Sequence, residues 1–413
     1  MSEISETYCA LPSKQLALRH YEQGVLKNAW PCCNMMIGGN VDFGIPDVHL
    51  LTPQEIFDHP QSEALRQNLA HGVRDPRCRV CWDMEDRGLK SYRQNSFSSA
   101  TETAAAAKLT SVDLRVSNLC NLRCRMCDPK WSHSLMIDYR LMEQQGLLKD
   151  AADAIGFAWK PTSAAQNPAA DDLHWQWIMA NTHEINHIRA SGGEPLYDKR
   201  MIDLLRAYVV TGAAAKTTLH FHTNGTHMTD EILDLLACFQ RNQHDFSVDG
   251  TGTVYEYIRH GSEWNLLNHN IKRYLHRVKP SKLSLVMTVN ALNILDVGNF
   301  IDWAESLDYP YRIHFQQTLP NDRGIALHHL SNDLLRVALQ RLQQALPNNP
   351  GIDANLEKRL QQVIAADAVP DPQKMLKEIS IFDRTRQQHY GDHLDSDLVS
   401  WLSTHEIDSP RSL

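Results

Sequence analysis

Residues 112–127 read VDLRVSNLCNLRCRMC, and this stretch decides how the rest of the chain is interpreted. Its first six residues alternate between apolar and polar side chains, which predicts a half-buried β-strand. The loop that follows carries Cys120, Cys124 and Cys127 with the spacing C-x3-C-x2-C. Three thiolates on one loop at the end of a strand can ligate three irons of a cubane cluster and leave the fourth iron open. The alternative is a three-cysteine zinc site that His133 completes.

Further strand candidates follow this stretch, with amphipathic helical segments between them. The six candidates in chain order are 112–117, 185–190, 217–222, 244–248, 283–289 and 311–316. One intervening helix is predicted to begin after Thr229, whose hydroxyl can cap it. Such alternation of strands and helices predicts a mainly parallel sheet with helices outside it. Six units are too few for a closed eight-stranded barrel, so we expect an α/β fold with a partial (β/α)6 TIM-type barrel.

Composition indicates a folded protein with regions of different character. The chain has 413 residues, of which 42% are hydrophobic, and a net charge of −8. These values exclude wholesale disorder and argue against a broad nucleic-acid-binding surface. Neither a secretory signal nor a stretch of about 18 apolar residues is found, so we expect a cytoplasmic protein without a membrane partner. The predicted regions are a small, cysteine-rich α+β domain at 1–98, the barrel at 110–320 and a mostly helical extension at 325–413.

The cysteines point to metal centres. Eight of the nine lie in the first third of the chain, and their number is odd. Both facts argue against a disulfide framework in a chain without an export signal. Besides the three loop cysteines there is an N-terminal set, which consists of Cys9, Cys32, Cys33, Cys78 and Cys81. The ninth cysteine, Cys238, stands beside Phe239 on a predicted helix, and we expect it to be a small buried apolar residue.

The C-x3-C-x2-C loop resembles the defining motif of the radical S-adenosylmethionine (SAM) enzymes. After the second predicted strand stands Ser191-Gly-Gly-Glu-Pro195, which matches the GGEP element of that family. The resemblance covers about 110–320 and implies a 4Fe-4S cluster, held by the loop cysteines, to which SAM binds. It also implies that SAM contacts the residues of the GGEP element, which are Gly192, Gly193, Glu194 and Pro195.

Polar residues also follow the later strands, at the ends where a parallel barrel builds its site. By the same resemblance, Ser247 and Asp249 lie near the ribose or the carboxylate of SAM, and Arg259 pairs with that carboxylate. Asn224 belongs to Thr223-Asn-Gly225, directly after the third strand. Two simpler interpretations stay open: the Asn-Gly pair is an ordinary turn, and Arg259 is a solvated charge on a helix.

The N-terminal cysteines resemble an auxiliary-cluster module, the twitch domain, which is a shortened relative of the SPASM domain. That module typically follows the barrel, whereas here it precedes the barrel, and the gap from Gly24 to Cys32 exceeds the family spacing. Four thiolates would hold a second, fully ligated Fe-S cluster, and we assign them to Cys9, Cys32, Cys78 and Cys81. Cys33 is the alternative to Cys32. The other interpretation of this set is a structural zinc ion held by four cysteines.

The resemblance implies reductive cleavage of SAM to a 5′-deoxyadenosyl radical, which abstracts a hydrogen atom from a substrate. The second cluster would then accept an electron from the substrate radical. We expect an oxidoreductase or peptide-modifying enzyme whose substrate is a peptide or protein and whose electron donor is a flavodoxin or ferredoxin. The alternatives are a dehydrogenase of an aminocyclitol-like or nucleotide-like small molecule and a non-catalytic Fe-S or zinc-binding protein.

Overall fold

The computed structural model describes residues 5–22, 24–32, 42–88, 90–95, 107–155, 172–316, 323–345 and 355–406. Within these ranges, strands and helices alternate along the middle of the chain, and helices alone form its end. The strands are β1 (Gln15–Glu22), β2 (Val25–Trp30), β3 (Ser111–Arg115), β4 (His187–Ser191), β5 (Thr218–Thr223), β6 (Arg241–Asn242), β7 (Asp245–Ser247), β8 (Leu283–Thr288) and β9 (Tyr311–Gln316).

Most of the described α-helices lie between strands, and the last four follow the final strand. They are α1 (Pro53–Asp58), α2 (Pro60–Ala70), α3 (Arg79–Asp86), α4 (Tyr92–Asn95), α5 (Leu135–Gln144), α6 (Leu148–Ile155), α7 (Leu173–Ala180), α8 (Lys199–Val210), α9 (Asp230–Ala237), α10 (Gly252–Ile258), α11 (Trp264–Arg277), α12 (Val297–Ser306), α13 (Asn332–Ala345), α14 (Asn355–Ala365), α15 (Pro372–Arg386) and α16 (Ser396–Ser403). None of these described helices combines the length and the apolar character that crossing a membrane requires.

The six strands predicted from the sequence are present as β3, β4, β5, β7, β8 and β9, each with bounds within two residues of those expected. The sequence does not predict β1, β2 and β6. In β1, Leu16 and Leu18 alternate with Gln15 and Arg19, but an irregularity in the pairing with β2 interrupts the pattern after Ala17. An alternation of about five residues is too short to identify a strand by itself.

The chain folds as two compact units, each assembled from several segments. The first comprises Met1–Asn118, Ala165–Phe221 and Leu235–Asn242, and the second comprises Leu119–Ala164, His222–Asp234 and Gln243–Leu413. In the first unit the strand order is β2-β1-β3-β4-β5, with β6 also beside β5, and only the pairing of β1 with β2 is antiparallel. In the second unit the last residues of β5 pair with β7, and β8 and β9 follow in parallel.

In neither unit do the described strands close into a ring. Parallel strands alternate with helices, as in a barrel that stops before closure. The predicted α/β class with a partial TIM-type barrel and a helical end of the chain is therefore confirmed. The three predicted regions stay a prediction, because each compact unit combines segments from more than one of them.

Alternation along the strands of the first unit separates an apolar face from a polar one. On the apolar face, Leu114, Ile188 and Phe221 are fully buried. On the other face, the register places Asp113 opposite Arg189. A shift of one residue would exchange the two faces, and each large apolar side chain that moved into water would cost about 1.5–3 kcal/mol. The hydrophobic pattern therefore determines which polar side chains share a face.

Helix α15 packs against α5 and α6 inside the second unit. Its Ile381 and Phe382 join a buried apolar cluster with Leu135, Tyr139 and Met142. Because α5 follows the cysteine loop directly, this cluster connects the end of the chain with the segment that carries the cysteines. The helical end of the chain therefore shares the core of the second unit.

Two local expectations have different outcomes. Thr229 caps α9 as predicted, and its hydroxyl accepts a hydrogen bond of 3.3 Å from the backbone N–H of Ile232. The expectation that Cys238 is buried is wrong, since its side chain is exposed while the neighbouring Phe239 is buried. The reason is that α9 ends at Ala237, so Cys238 lies beyond the helix and outside its periodic apolar face.

Candidate functional site

The three loop cysteines converge inside the second unit. Cys120 and Cys124 are buried and Cys127 is half-buried, and they share a small cluster with Leu122. Burial raises the pKa of the Cys127 thiol, and the neighbouring thiols of Cys124 and Cys120 raise it further. The three side chains are therefore close enough for their charges to interact.

The spacing of these sulfur atoms distinguishes two kinds of metal centre. All three cysteines are described, yet their sulfur atoms do not all lie within 4.8 Å of one another. A zinc ion with Zn–S bonds of about 2.3 Å in tetrahedral geometry would require sulfur atoms about 3.8 Å apart. Thiolates that bind separate irons of a cubane are spread more widely. The arrangement of the loop cysteines is therefore not that of a preformed tetrahedral zinc site.

Hydrogen bonds around Cys120 assign roles to two polar residues. Its backbone N–H donates to Nδ1 of His133 at 3.2 Å, so the candidate fourth zinc ligand supports the backbone of the loop. The side-chain amide of Asn224 donates to Oδ1 of Asn121 at 3.0 Å and lies 3.9 Å from Sγ of Cys120. Asn224 therefore joins the end of β5 to the cysteine loop, as well as forming the turn that follows that strand.

Arg259 and Asp249 form a buried ion pair beside Cys124. Nη2 of Arg259 lies 2.6 Å from Oδ2 of Asp249, and Nη1 lies 3.8 Å from Sγ of Cys124. Burial disfavours the charge of Arg259, but Asp249 and Cys124 outweigh that cost and raise the pKa of Arg259 above its ordinary value. The interpretation of Arg259 as a solvated charge is therefore wrong. The backbone N–H of Thr288 also donates to Asp249, at 2.6 Å, and Ser247 is half-buried at the end of β7.

Buried arginines hold the backbone of the cysteine loop. Arg386, the last residue of α15, donates to the carbonyl oxygen of Arg123 at 2.6 Å and pairs with Asp138 at 2.7 Å. Arg386 and Asp138 are both fully buried. Asp138 also pairs with Arg123, at 2.6 Å. The loop segment between Cys120 and Cys124 is therefore connected to α5 and to α15 by charged groups that water does not reach.

A second arginine contact holds the next part of the loop. Arg323 donates to the carbonyl oxygen of Arg125 at 2.8 Å and pairs with the buried Glu378 of α15. Arg125 in turn pairs with Asp383, whose carboxylate also accepts a hydrogen bond of 2.7 Å from the hydroxyl of Tyr257. The backbone on both sides of Cys124 is thus fixed by residues that lie more than a hundred positions later in the chain.

Sequence reasoning did not identify this arginine network. The available signal was the placement of Arg386 on the same face of α15 as Met375, Ile379 and Phe382, at intervals of three or four residues. Charged residues on the apolar face of an amphipathic helix are buried only when they are paired. The sequence does not indicate which carboxylate supplies the pairing.

The GGEP element forms a tight turn in the first unit. Gly192 has a φ of +134°, and a Cβ atom on it would lie 2.4 Å from the carbonyl oxygen of Ser117. The N–H of Gly193 donates to that same carbonyl at 2.6 Å. Glu194 is buried, and its carboxylate accepts a hydrogen bond of 3.1 Å from the N–H of Leu196, while Pro195 begins a short 3-10 turn. Gly192 is required by the close approach of the two backbones, and Glu194 stabilises the turn.

The N-terminal cysteines meet in one cavity of the first unit. One cavity is lined by Cys9, Cys32, Cys78 and Cys81. Burial raises the pKa of the Cys78 thiol, with Cys9 and Cys81 acting in the same direction. No three of these four sulfur atoms lie within 4.8 Å of one another, so they too do not form a preformed tetrahedral zinc site. Cys33, the alternative ligand, lies outside the described residues.

Ion pairs also hold the segments that carry these cysteines. Arg93 pairs with Glu85 at 2.6 Å and donates to the carbonyl oxygen of Tyr8, the residue before Cys9, at 2.7 Å. Asp75 accepts a hydrogen bond from the N–H of Arg77 and thereby caps the turn that leads to Cys78. The cavity is therefore formed by separate chain segments whose relative positions are set by charged hydrogen bonds.

The central region of the chain matches a known protein family. Residues 114–304 match the family model described as the radical SAM superfamily. No curated protein matches the chain.

Among solved structures, the similar ones include anSMEcpe with bound AdoMet and Cp18Cys peptide, at 14% identity and a TM-score of 0.36 over 57% of this chain and 58% of that chain. Another is the radical SAM methyltransferase TsrM from Kitasatospora setae with cobalamin and a 4Fe-4S cluster bound. It is 10% identical with a TM-score of 0.38, over 69% of this chain and 64% of that chain. A third is SuiB from Streptococcus suis bound to the precursor peptide SuiA. It is 11% identical with a TM-score of 0.36, over 70% of this chain and 64% of that chain. The similarity thus spans about three fifths of each of these chains.

Replacing Gly192 with alanine should destabilise the fold more than the same change at Gly212. Both glycines have positive φ, +134° and +75°, but a Cβ at Gly212 meets nothing within 4 Å. Gly212→Ala should cost about 1–2 kcal/mol, the cost of the left-handed conformation alone. Gly192→Ala adds the clash with Ser117 and should cost more. Urea denaturation of both variants measures the difference, and equal losses would contradict the close approach of the two backbones.

Replacing Arg386 with methionine should lower the free energy of unfolding by about 3 kcal/mol, because Asp138 then stays buried with one partner fewer. The matched control is Arg384→Met, since Arg384 is on the same helix but exposed. That control should change stability by less than about 0.5 kcal/mol. Denaturant titration of both variants tests the arginine network, which would be disproved if the two changes had the same effect.

Proposed function

We propose that this chain, whose residues 114–304 belong to the radical SAM superfamily, is an enzyme that abstracts a hydrogen atom from a peptide or protein substrate. The observation that carries the proposal is the convergence of Cys120, Cys124 and Cys127 at the end of a parallel strand, within the segment that matches the family. The loop contributes three cysteine ligands, so one iron of a cubane cluster bound there is left to bind another ligand.

The cofactors determine the chemistry, and the chain holds and shields them. When bound, a 4Fe-4S cluster transfers one electron to SAM, whose cleavage yields methionine and a 5′-deoxyadenosyl radical. The burial of Cys120 and Cys124 excludes water from the ligand sulfur atoms. Burial also raises the pKa of the Cys124 thiol, although Arg259 opposes this, so metal binding is needed to stabilise the thiolate.

Arg259, Asp249 and Asn224 are the residues of the second unit that we propose for orienting SAM. Arg259 and Asn224 both lie beside a ligand cysteine, and Asp249 orients the guanidinium. A guanidinium with fixed geometry can bind a carboxylate through two parallel hydrogen bonds. In the first unit, we propose Ser191 to Pro195 as the turn whose backbone contacts SAM, with the carboxylate of Glu194 supporting that turn.

We also propose that Cys9, Cys32, Cys78 and Cys81 hold a second Fe-S cluster. The support is their common cavity, in which no three of the four sulfur atoms lie as close together as a single zinc ion requires. Since all four ligand positions of such a cluster are filled by thiolates, it cannot bind SAM. Its role would be to accept an electron from the substrate radical or to support the fold.

The substrate class and the electron donor are part of the same proposal. The N-terminal cysteines resemble modules of relatives that modify peptides or oxidise small alcohols, so we propose a peptide or protein substrate and keep a small molecule as the alternative. Cleavage of SAM consumes one electron, and a flavodoxin or ferredoxin is a donor of the required kind. None of the described cysteines forms a disulfide, which fits a reducing cytoplasm.

Replacing Cys124 with alanine should abolish formation of 5′-deoxyadenosine from SAM. The assay uses protein reconstituted with iron and sulfide without oxygen and reduced with dithionite. Cys238→Ala is the matched control, because Cys238 is exposed and belongs to neither cysteine set. Full cleavage by Cys124→Ala would refute the ligand assignment, and no cleavage by fully loaded unmodified protein would refute the enzyme.

The metal content should be about eight irons per chain, which corresponds to two cubane clusters. Cys78→Ala should lower it to about four irons, because only the second cluster loses a ligand, and SAM cleavage should persist. Iron and zinc are measured together by elemental analysis of the reconstituted protein. Four irons and one zinc in the unmodified protein would refute the second cluster while leaving the SAM cluster intact.

A further inference from the structure

Two arginines beside the cysteine loop share one carboxylate in the second unit. The carboxylate of Asp138 lies 2.6 Å from Nη1 of Arg123 and 2.7 Å from Nη2 of Arg386. In the described part of the chain, neither guanidinium forms an ion pair with another carboxylate. Two positive groups and one negative group leave one positive charge in excess. We call these three residues the loop cation.

Most of the loop cation is shielded from water. The side chains of Arg386 and Asp138 are fully buried, and that of Arg123 is 22% exposed. Nη1 of Arg386 is buried as well, and it has no hydrogen-bond partner among the described residues. Burial lowers the pKa of Arg386 to about 10, against the opposite effect of Asp138, so its guanidinium stays charged near neutral pH. A buried excess charge costs stability unless a negative group compensates it.

His260 contacts the loop cation without adding to its charge. Nε2 of His260 lies 2.7 Å from Nη2 of Arg123. Burial lowers the pKa of His260 to about 4, with Arg386 and Arg123 acting in the same direction and Asp138 opposing them. The imidazole is therefore uncharged near neutral pH, and it accepts the hydrogen bond from the guanidinium.

Other described ion pairs that include or contact residues of the cysteine loop are balanced. Each joins one cation to one carboxylate: Arg125 to Asp383, Arg259 to Asp249, Arg323 to Glu378 and Lys130 to Asp128. The two charges of such a pair largely cancel at a distance. The excess charge of this region therefore comes from the loop cation.

The loop cation adjoins a proposed cluster ligand. Nη2 of Arg386 donates to the carbonyl oxygen of Arg123 at 2.6 Å. That carbonyl belongs to the peptide bond that joins Arg123 to Cys124. Because Cys124 is buried, little water lies between the two to screen the charge. A negative group held by the sulfur atom of Cys124 would therefore be stabilised by the loop cation.

A 4Fe-4S cluster bound by the loop would be a negative group of this kind. Three thiolates around a doubly positive cubane core give one net negative charge, and the uptake of one electron from a donor, which is oxidised, adds a second. We propose that the loop cation compensates this charge and makes the cluster easier to reduce, so that Arg123, Asp138 and Arg386 set its reduction potential. The inference rests on the proposed function for the presence of the cluster.

The expected size of the effect follows from Coulomb's law. At a separation of about 10 Å and an effective dielectric constant of about 20, one unit charge changes an equilibrium constant by roughly tenfold. For the uptake of one electron, a tenfold change corresponds to a potential shift of about 59 mV. A substitution that removes one charge from the loop cation should shift the potential by about this amount, and the removed charge sets the direction.

Redox titration of the reconstituted protein, without SAM and without substrate, tests the proposal. The reduced loop cluster is followed by electron paramagnetic resonance, as the signal that changes when SAM is added afterwards. Arg123→Gln removes a positive charge and should lower the equilibrium constant for reduction about tenfold, which is a shift of about 59 mV to more negative potential. Asp138→Asn removes the negative charge and should shift the potential by a similar amount in the opposite direction.

The two directions distinguish a charge effect from a structural one. Shifts in the same direction for Arg123→Gln and Asp138→Asn, or no shift for either, would overturn the proposal. Arg384→Met is the matched control, because Arg384 is an exposed cation on the same helix as Arg386. It should leave the potential unchanged, and a tenfold effect there would show a non-specific response to charge and would also overturn the proposal.

The lysine variant keeps the test decisive if a variant does not fold. Arg123→Gln leaves the ion pair between Arg386 and Asp138 in place, and circular dichroism verifies the fold of each variant. Arg123→Lys keeps the positive charge and should have a potential close to that of the unmodified protein. If Asp138→Asn does not fold, equal potentials of Arg123→Lys and Arg123→Gln would overturn the proposal.

Cleavage of SAM, measured on the same preparations with excess dithionite, tests the proposed function separately. Cleavage by a protein whose cluster potential does not respond to these substitutions would overturn this inference alone. Potentials that follow the charges in a protein that does not cleave SAM would overturn only the proposed function. A loop that binds no cluster after reconstitution would overturn both.

Discussion

The buried contact between Arg386 and Asp138 is the interaction on which the candidate active site depends. It connects the last turn of α15 with α5 and, through the carbonyl oxygen of Arg123, with the cysteine loop. A loop that places three sulfur atoms around one cluster, as we propose for this one, cannot fluctuate freely, because small displacements weaken the ligand geometry. Charged hydrogen bonds in a water-excluded core supply that rigidity, since breaking one of them leaves a buried charge without its partner.

The same constraint explains why the end of the chain belongs to the unit that carries the cysteine loop. Glu378, Asp383 and Arg386 of α15 each pair with a group that touches or belongs to the loop. The apolar residues of α15 pack on α5 and α6 and bury these polar contacts. Apolar packing and ion pairing thus support each other: packing removes water from the charges, and the charges select one register of the helix.

How much of the structure the sequence predicted depends on how far apart in the chain the interacting residues lie. Alternation of side chains is local, so six strands were predicted with bounds close to those observed. Strand β1 escaped prediction because its pattern is short and its partner β3 lies about a hundred residues later. The cap of α9 at Thr229 depends on three neighbouring residues and was confirmed. Cys238 was misjudged because the helix ended at Ala237, two residues before the Phe239 that its apolar pattern included.

The sequence by itself identified the region that matches the radical SAM superfamily, because the C-x3-C-x2-C spacing and the Gly-Gly-Glu-Pro string are local patterns that few protein families share. It also determined the α/β class, since hydrophobic periodicity is local. Only the tertiary structure decided that Arg259 is buried against Cys124 and that Cys9, Cys32, Cys78 and Cys81 share one cavity. It alone placed Asp113 opposite Arg189, because long-range strand pairing, which no local pattern encodes, selects which charges become neighbours.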